Sequence, residues 1–353
     1  MNQVNKIAIW VITPNGLQLA ARIIDKISGC NLLISSGSIH KKKIETSFRY
    51  TVFENLAEKI EKEFSKHSGH IFIMSTGIVV RMIAPYIQSK LTDPAVLVMD
   101  DHGKHVISLV SGHIGGANDL AEKVAGFTGA DPVITTATDV NNVPAIDMLA
   151  IENGLLIENP SAIKCINMAF LTKNEVRLYD PYGFLSYGNE SSVFTEIRNV
   201  SDRLDTPAVF VDDKKTEINV NTLVLRPKSL VVGMGCNRNT SKNELMGFLK
   251  QVLDDSCLSI KSIKCLATVD LKKDETGLTE LAEELRVPVK YYSTDELNSE
   301  KNIKNPSPMV EKHIGVKSVC EAAAILAAKN KKLIVQKQTS ANVTAAIVRT
   351  AFI

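Results

Sequence analysis

The residues best suited to chemistry fall in three short stretches of small and polar side chains. Each follows an apolar, strand-like run and precedes a helical period. They are Ser75-Thr76-Gly77, Ser111-Gly112-His113-Ile114-Gly115-Gly116-Ala117-Asn118-Asp119 and Gly233-Met234-Gly235-Cys236-Asn237-Arg238-Asn239-Thr240. In α/β sheets, ligands sit outside the carboxyl ends of strands. Helix N-termini there present unpaired N–H groups and the positive end of a dipole, which suits anions. Glycine lets the backbone approach a ligand closely, but it also serves plain tight turns, and either reading fits any one stretch taken alone. The third stretch is not a dinucleotide fingerprint, because Arg238 occupies the last glycine position of GxGxxG, and it lacks the GK[ST] of a P-loop.

His113 is the histidine embedded in such a turn. Titrating near neutrality, it suits a general base that activates water; the plainer role is a hydrogen bond within the loop. His102 and His105 with Asp100 and Asp101 gather metal-ligand types, but their hairpin setting favours a solvated turn. Cys236 stands near a helix start, where thiol pKa values fall, yet no base is close in sequence, so it is taken as a lining residue. The hydroxyls of Thr135-Thr136-Ala137-Thr138-Asp139 could bind polar substrate groups or cap the next helix. Lys337 and Asn342 follow the late strand Leu333–Gln336; a lysine there could pair a carboxylate or simply face solvent.

The elements that must position these residues alternate between strand and helix. Lys6–Ile12 reads as a strand, and Thr13-Pro14 caps a helix carrying Leu17, Ala20, Ile24 and Ile27. His70–Met74 is a strand leading into a helix through Ile83. Ala95–Met99 and His105–Val110 form a hairpin about Asp101-His102-Gly103, followed by a helix over Gly115–Phe127 and a strand over Pro132–Thr135. The last third restarts the pattern: a strand at Ser229–Met234, a capping box of Ser241 with Glu244, a strand at Ile263–Val269 and a helix at Val319–Ala328. The expected fold is α/β and multi-domain, with two layered α/β domains (1–147 and 227–353) flanking a smaller middle module (148–226).

Bulk properties set outer bounds. A chain of 353 residues is too long for one ordinary core. Its 44% hydrophobic and 23% charged content are those of a globular protein, and a net charge of +2 gives no reason to expect nucleic acid or an anionic membrane surface. No apolar run reaches the roughly 18 residues of a spanning helix. The six cysteines are scattered without a CxxC pair, which argues against a zinc knuckle or disulfide framework and points to a reducing cytoplasm.

Taken together, these blocks resemble the CbiG family of cobalamin-biosynthesis proteins. The likeness runs through Ser75-Thr76-Gly77-Ile78-Val79-Val80-Arg81, Thr92-Asp93-Pro94, Asp100, Ser111–Asn118 and Pro132–Asp139. It resumes at Gly233–Cys236, Ala267-Thr268-Val269-Asp270-Leu271-Lys272, Ser318–Ala324 and Gln336-Lys337-Gln338. Ser340-Ala341-Asn342 departs from the family's Ser-Gly-Asn.

The resemblance implies a hydrolase acting on cobalt-precorrin-5A. Water would open the δ-lactone tying the ring A acetate to the meso carbon about to be lost, and the two-carbon unit would leave as acetaldehyde, giving cobalt-precorrin-5B. Cobalt would arrive with the substrate, so no cofactor or protein-bound metal is expected. The expected partner is the small-molecule corrinoid, with hand-over to other cobalamin-pathway enzymes. Lactone opening needs a base for water and donors for the developing oxyanion. Residue chemistry assigns the base to His113, its orienter to Asp100 or Asp139, and oxyanion donation to the amides near Gly115 and Gly116. Thr76, Gly77, Arg81, Ser111, Gly112, Asn118, Thr135, Thr136, Gly235, Cys236, Asp270, Lys337 and Asn342 are the further substrate-binding candidates. Two other readings are a non-catalytic corrinoid carrier and a nucleotide- or S-adenosylmethionine-dependent transferase; the missing GxGxxG counts against the second.

Overall fold

The computed structural model describes residues 6–39, 48–188, 193–199, 206–217 and 219–350. The chain divides into two compact units, residues 1–148 and 149–353. Among the described residues no helix is long and apolar enough to cross a membrane.

The first unit is built on strands β1 (Ile7–Val11), β2 (Cys30–Ser35), β3 (Tyr50–Phe53), β4 (Gly69–Ile73), β5 (Ala95–Met99), β6 (His105–Val110) and β7 (Asp131–Val133), in the order β3-β2-β1-β4-β5-β6-β7. β1 to β5 are mutually parallel. Their runs IAIWV, GHIFI and AVLVM are apolar on both faces, as a sheet covered on two sides requires. Ile9, Val11, Ile71 and Leu97 pack with Leu19, Ile23 and Val124 on one face, while Trp10, Phe72 and Val98 pack with Ile60 and Ile83 on the other.

β6 breaks the parallel pattern. The Asp100 carboxylate accepts backbone N–H groups of His102 (3.0 Å), Lys104 (3.2 Å) and His105 (2.8 Å), and Gly103 supplies a φ of +66°. The chain turns back, so β6 runs antiparallel to β5, with Met99 opposite Val106 and Val96 opposite Val110. β7 is parallel to β6. The carboxyl ends of β6 and β7 therefore lie on the edge of the sheet where β4 and β5 begin. That reversal decides which of the expected site residues can meet.

The second unit carries two sheets. One holds β8 (Leu156–Ile157), β9 (Arg177–Tyr179), β10 (Thr195–Glu196), β11 (Ala208–Val211) and β12 (Thr222–Arg226), in the order β10-β9-β11-β12-β8. The other holds β13 (Leu230–Cys236), β14 (Ile263–Val269), β15 (Val289–Tyr292), β16 (Leu333–Thr339) and β17 (Val343–Arg349), in the order β15-β14-β13-β17-β16. Helices Lys242–Asp255 and Thr276–Leu285 cover one face of this last sheet and Val319–Ala328 the other. The Val319–Ala328 helix sits so close that a Cβ on Gly233 would lie 1.9 Å from the Cys320 carbonyl oxygen. Gly233 thus belongs to a strand interior and serves packing, not a ligand turn. β17, absent from the sequence expectations, lies in the middle of the sheet, between β13 and β16. Ser241 caps its helix through the Glu244 amide (3.3 Å), but the Glu244 carboxylate turns to Asn342 (2.9 Å) instead of closing the expected box.

Candidate active site

The ends of β6 and β7 bring five expected residues together with two that were not foreseen. His113, on the turn after β6, places Nε2 2.9 Å from Asp139 Oδ2 and 3.1 Å from Thr138 Oγ1. Its Nδ1 lies 3.4 Å from Asp147 Oδ2. Thr138 and Asp139 come from the short helix Ala137–Val140 after β7, and Asp147 from the start of the helix Ile146–Glu152. Asn118, at the start of helix Ala117–Thr128, donates Nδ2 to Asp139 Oδ2 (3.2 Å) and to Thr136 Oγ1 (3.1 Å). Its Oδ1 accepts the Ser108 hydroxyl at 2.7 Å, which fixes the orientation of the amide.

Each carboxylate has a distinct setting. The Asp147 side chain is 4% exposed and the Asp139 side chain 41%. The hydrogen bond that His113 donates to Asp147, and then that to Asp139, raise its pKa above the ordinary histidine value, against the opposing effect of burial. With a carboxylate oxygen beside each ring nitrogen, the setting suits an imidazolium that donates from both. The base role expected of His113 would need one of these nitrogens free of its carboxylate.

The turn itself is shaped by contacts that exclude side chains. A Cβ on Gly112 would meet Asn118 Oδ1 at 2.7 Å, and one on Gly115 would meet Ser111 Cβ at 2.3 Å. Ser111 has a φ of +60° and Gly116 one of +82°. The amides of Gly116, Ala117 and Asn118 donate to the carbonyls of His113 (2.7 Å), Ser111 (3.0 Å) and Gly112 (2.9 Å). The Gly116 amide is thus engaged inside the turn and is not an oxyanion donor as it stands. On its other side the turn borders an open groove of about 850 Å³, whose lining includes Ile114, Gly115, Gly116, Pro94, Lys66 and Lys123.

Other expected residues lie elsewhere. Asp100 is occupied by the three hairpin amides and orients nothing at His113. Thr76, Gly77 and Arg81 follow the carboxyl end of β4, on the opposite edge of the sheet from the end of β6. A five-residue strand separates the two edges by roughly 17 Å. Thr135 is exposed, on the same edge as His113. Gly235, Cys236, Asp270, Lys337 and Asn342 belong to the second unit. Gly235 and Cys236 end β13, Asp270 follows the parallel β14, and Asn342 precedes β17, whose Val343 pairs with Cys236. Asn342 accepts from Asn237 Nδ2 at 2.9 Å, and the Lys337 backbone N–H donates to the buried Glu321 at 3.1 Å. Burial pushes the Cys236 thiol pKa up, which suits a lining residue and not a nucleophile.

Asp147 and Ser108 are the residues that sequence reasoning missed. For Asp147 a signal existed: it is a lone carboxylate inside the apolar run Ala145-Ile146-Asp147-Met148-Leu149-Ala150-Ile151.

Comparison with known proteins places this α/β chain in a family. Residues 58–139 match the family described as Cobalamin synthesis G N-terminal, 144–227 match Cobalamin biosynthesis central region, and 230–348 match Cobalamin synthesis G C-terminus. A Priestia megaterium protein named Cobalt-precorrin-5A hydrolase is 38% identical over 296 residues, 80% of this chain and 79% of that one. A Salmonella typhimurium protein of the same name is 34% identical over 342 residues, 93% of each chain. A Sinorhizobium protein named Protein CobE is 32% identical over 120 residues, 33% of this chain and 78% of its own. The chain belongs to the CbiG family of cobalamin-biosynthesis proteins.

Proposed function

We propose that this chain is a cobalt-precorrin-5A hydrolase: it opens the ring A δ-lactone of cobalt-precorrin-5A with water and releases acetaldehyde, giving cobalt-precorrin-5B. Family membership supports the substrate. The single structural observation that carries the chemistry is the imidazole of His113 held between Asp139 and Asp147, an acid–base group at the end of a strand. Lactone hydrolysis asks for one proton to be taken from water and one to be delivered to the departing oxygen, and this cluster holds groups for both. The reaction draws on water alone; cobalt belongs to the substrate, and the protein supplies no cofactor. The enzyme works in the cytoplasm and passes its product to a following cobalamin-pathway enzyme. The Ser111–Asn118 turn offers contacts for the acetate and propionate arms.

The test is anaerobic incubation with cobalt-precorrin-5A, without added nucleotide, metal or reductant. Mass analysis follows the corrinoid, and coupling to an alcohol dehydrogenase follows acetaldehyde. Both signals should appear together. Folded protein that binds the corrinoid and leaves it intact would put the carrier reading first.

A further inference from the structure

We propose that Asp147 is a positioning residue that holds His113 as an imidazolium, so that Asp139 takes the proton from water and His113 delivers one to the leaving oxygen. This division of labour rests on the hydrolase reading above.

The argument starts from the unequal exposure of the two carboxylates. Asp147, almost fully covered, faces Nδ1, where a buried carboxylate is best satisfied by a charged donor. Asp139, 41% exposed, is the carboxylate that a substrate water can reach. The charged groups facing the ring are Asp139, from the helix Ala137–Val140, and Asp147, from the helix Ile146–Glu152. The uncharged Thr138 lies beside Nε2, and the helix Ala117–Thr128 contributes the uncharged Asn118. The Asn118 amide, locked by Ser108 and Thr136, steadies Asp139 through one oxygen, Oδ2. The raised His113 pKa agrees with a ring that is charged at rest.

The proton route closes. Water oxygen adds to the lactone carbonyl carbon while Asp139 takes one water proton. Once neutral, Asp139 loosens its hold on the Nε2 proton. The tetrahedral intermediate collapses, the ring C–O bond breaks with its electron pair on oxygen, and that oxygen takes the Nε2 proton. Asp139 then returns its proton to Nε2 across their 2.9 Å hydrogen bond. One water is consumed, an acid and an alcohol are formed, and both side chains are restored.

The experiment reads the ring directly. Nitrogen-15 NMR titration of His113 in the full chain should show a midpoint above the ordinary histidine range. Asp147→Asn should lower that midpoint by about one pH unit or more, the effect of losing an adjacent opposite charge, and Asp147→Glu should recover part of it. In kinetics with cobalt-precorrin-5A, kcat should fall as pH rises through that midpoint. In Asp147→Asn the fall should move to lower pH, with KM changed less than about twofold. Should the buried substitution prevent folding, Asp139→Asn supplies a second arm: kcat should drop about 10²–10⁴-fold while His113 stays charged. A rate that climbs as pH passes upward through the His113 midpoint would make His113 the base and overturn the route. A midpoint that Asp147→Asn leaves in place would remove Asp147 from its role. Folded wild type that yields no acetaldehyde yet shows the raised midpoint would sink the hydrolase reading and the route with it, leaving only the hold of Asp147 on the ring.

Discussion

Each unit contains a cluster of two aspartates around a basic side chain, and the two clusters are built for different ends. In the first unit Asp139 and Asp147 flank His113. In the second, Asp213 accepts a bidentate pair from Arg349 Nε and Nη2 at 2.6 and 2.7 Å and the Ser229 hydroxyl at 2.7 Å, with Asp212 adjacent. Arg349 also lies 4.3 Å over the Tyr182 ring, and Arg226 donates to the Asp212 carbonyl at 2.9 Å and pairs with Glu158. Asp213 follows β11, whereas Ser229 precedes β13 and Arg349 ends β17, so this network ties the two sheets of the second unit together across the expected 226/227 boundary. A guanidinium does not give up its proton near neutrality, whereas an imidazole does. The Asp213 side chain is fully covered, while Asp139 is open on one side. Paired charge alone therefore does not set the candidate site apart; a titratable partner and a carboxylate open to solvent do.

The contrast can be broken by experiment. The largest effect is expected at His113→Ala: kcat should fall about 10²–10⁴-fold with binding nearly kept, while the unfolding midpoint drops because the covered Asp147 loses the His113 charge. Loss of affinity with kcat retained at saturation would reduce His113 to a loop-shaping residue. Asp213→Ala should do the reverse, costing about 3–5 kcal/mol in denaturant unfolding of the second unit because the half-buried Arg349 loses the covered carboxylate it pairs with, with kcat of the folded enzyme unchanged. A loss of rate without a loss of stability would erase the distinction.

A third buried base, His70, sharpens the comparison because no carboxylate bonds it. It accepts Trp10 Nε1–H at 3.1 Å and donates to the Phe64 carbonyl at 3.0 Å, and burial pushes its pKa down to about 4. The unfolded chain then binds a proton first as pH falls. The stability held above about 6.5 should drain away between about 6.5 and 4, by about 3 kcal/mol, and stay level below. His113 acts with the opposite sign: its contribution is complete below the unfolded value and is lost as pH rises through its raised folded value. His70→Gln should flatten the acid side of the stability–pH curve; an unaltered acid side would show that other groups govern it. The smallest effect is expected at Gly116→Ala. The space there is open, so only the φ of +82° resists, at about 1 kcal/mol in urea unfolding.

Periodicity made most elements of the first unit legible, because apolar five-residue runs between helical stripes leave few alternatives. The helix Val319–Ala328 was likewise plain, since its run VCEAAAILAA is buried almost throughout. β17 was missed: Val343–Arg349 lies just after a turn and carries two alanines at its centre, a weak strand signature that its two neighbouring strands override. The site was partly legible. His113, Asn118, Thr136 and Asp139 share an edge because β6 and β7 are parallel, which short-range pattern suggests. Asp100 was misplaced because a carboxylate before a Gly-containing hairpin serves the turn's own amides. Thr76, Gly77 and Arg81 were grouped with His113 by a rule that holds for parallel strands, although the hairpin read at Asp101-His102-Gly103 already turns β6 against β5 and sends its carboxyl end to the other edge.

The backward run of β6 has a practical outcome for anyone handling the molecule. Its six residues, His105–Val110, put the exposed His102 and Lys104 roughly 20 Å from the end that bears His113. A dye, a spin probe or a surface tether attached at that hairpin would report on or hold the first unit without crowding His113 and its two aspartates.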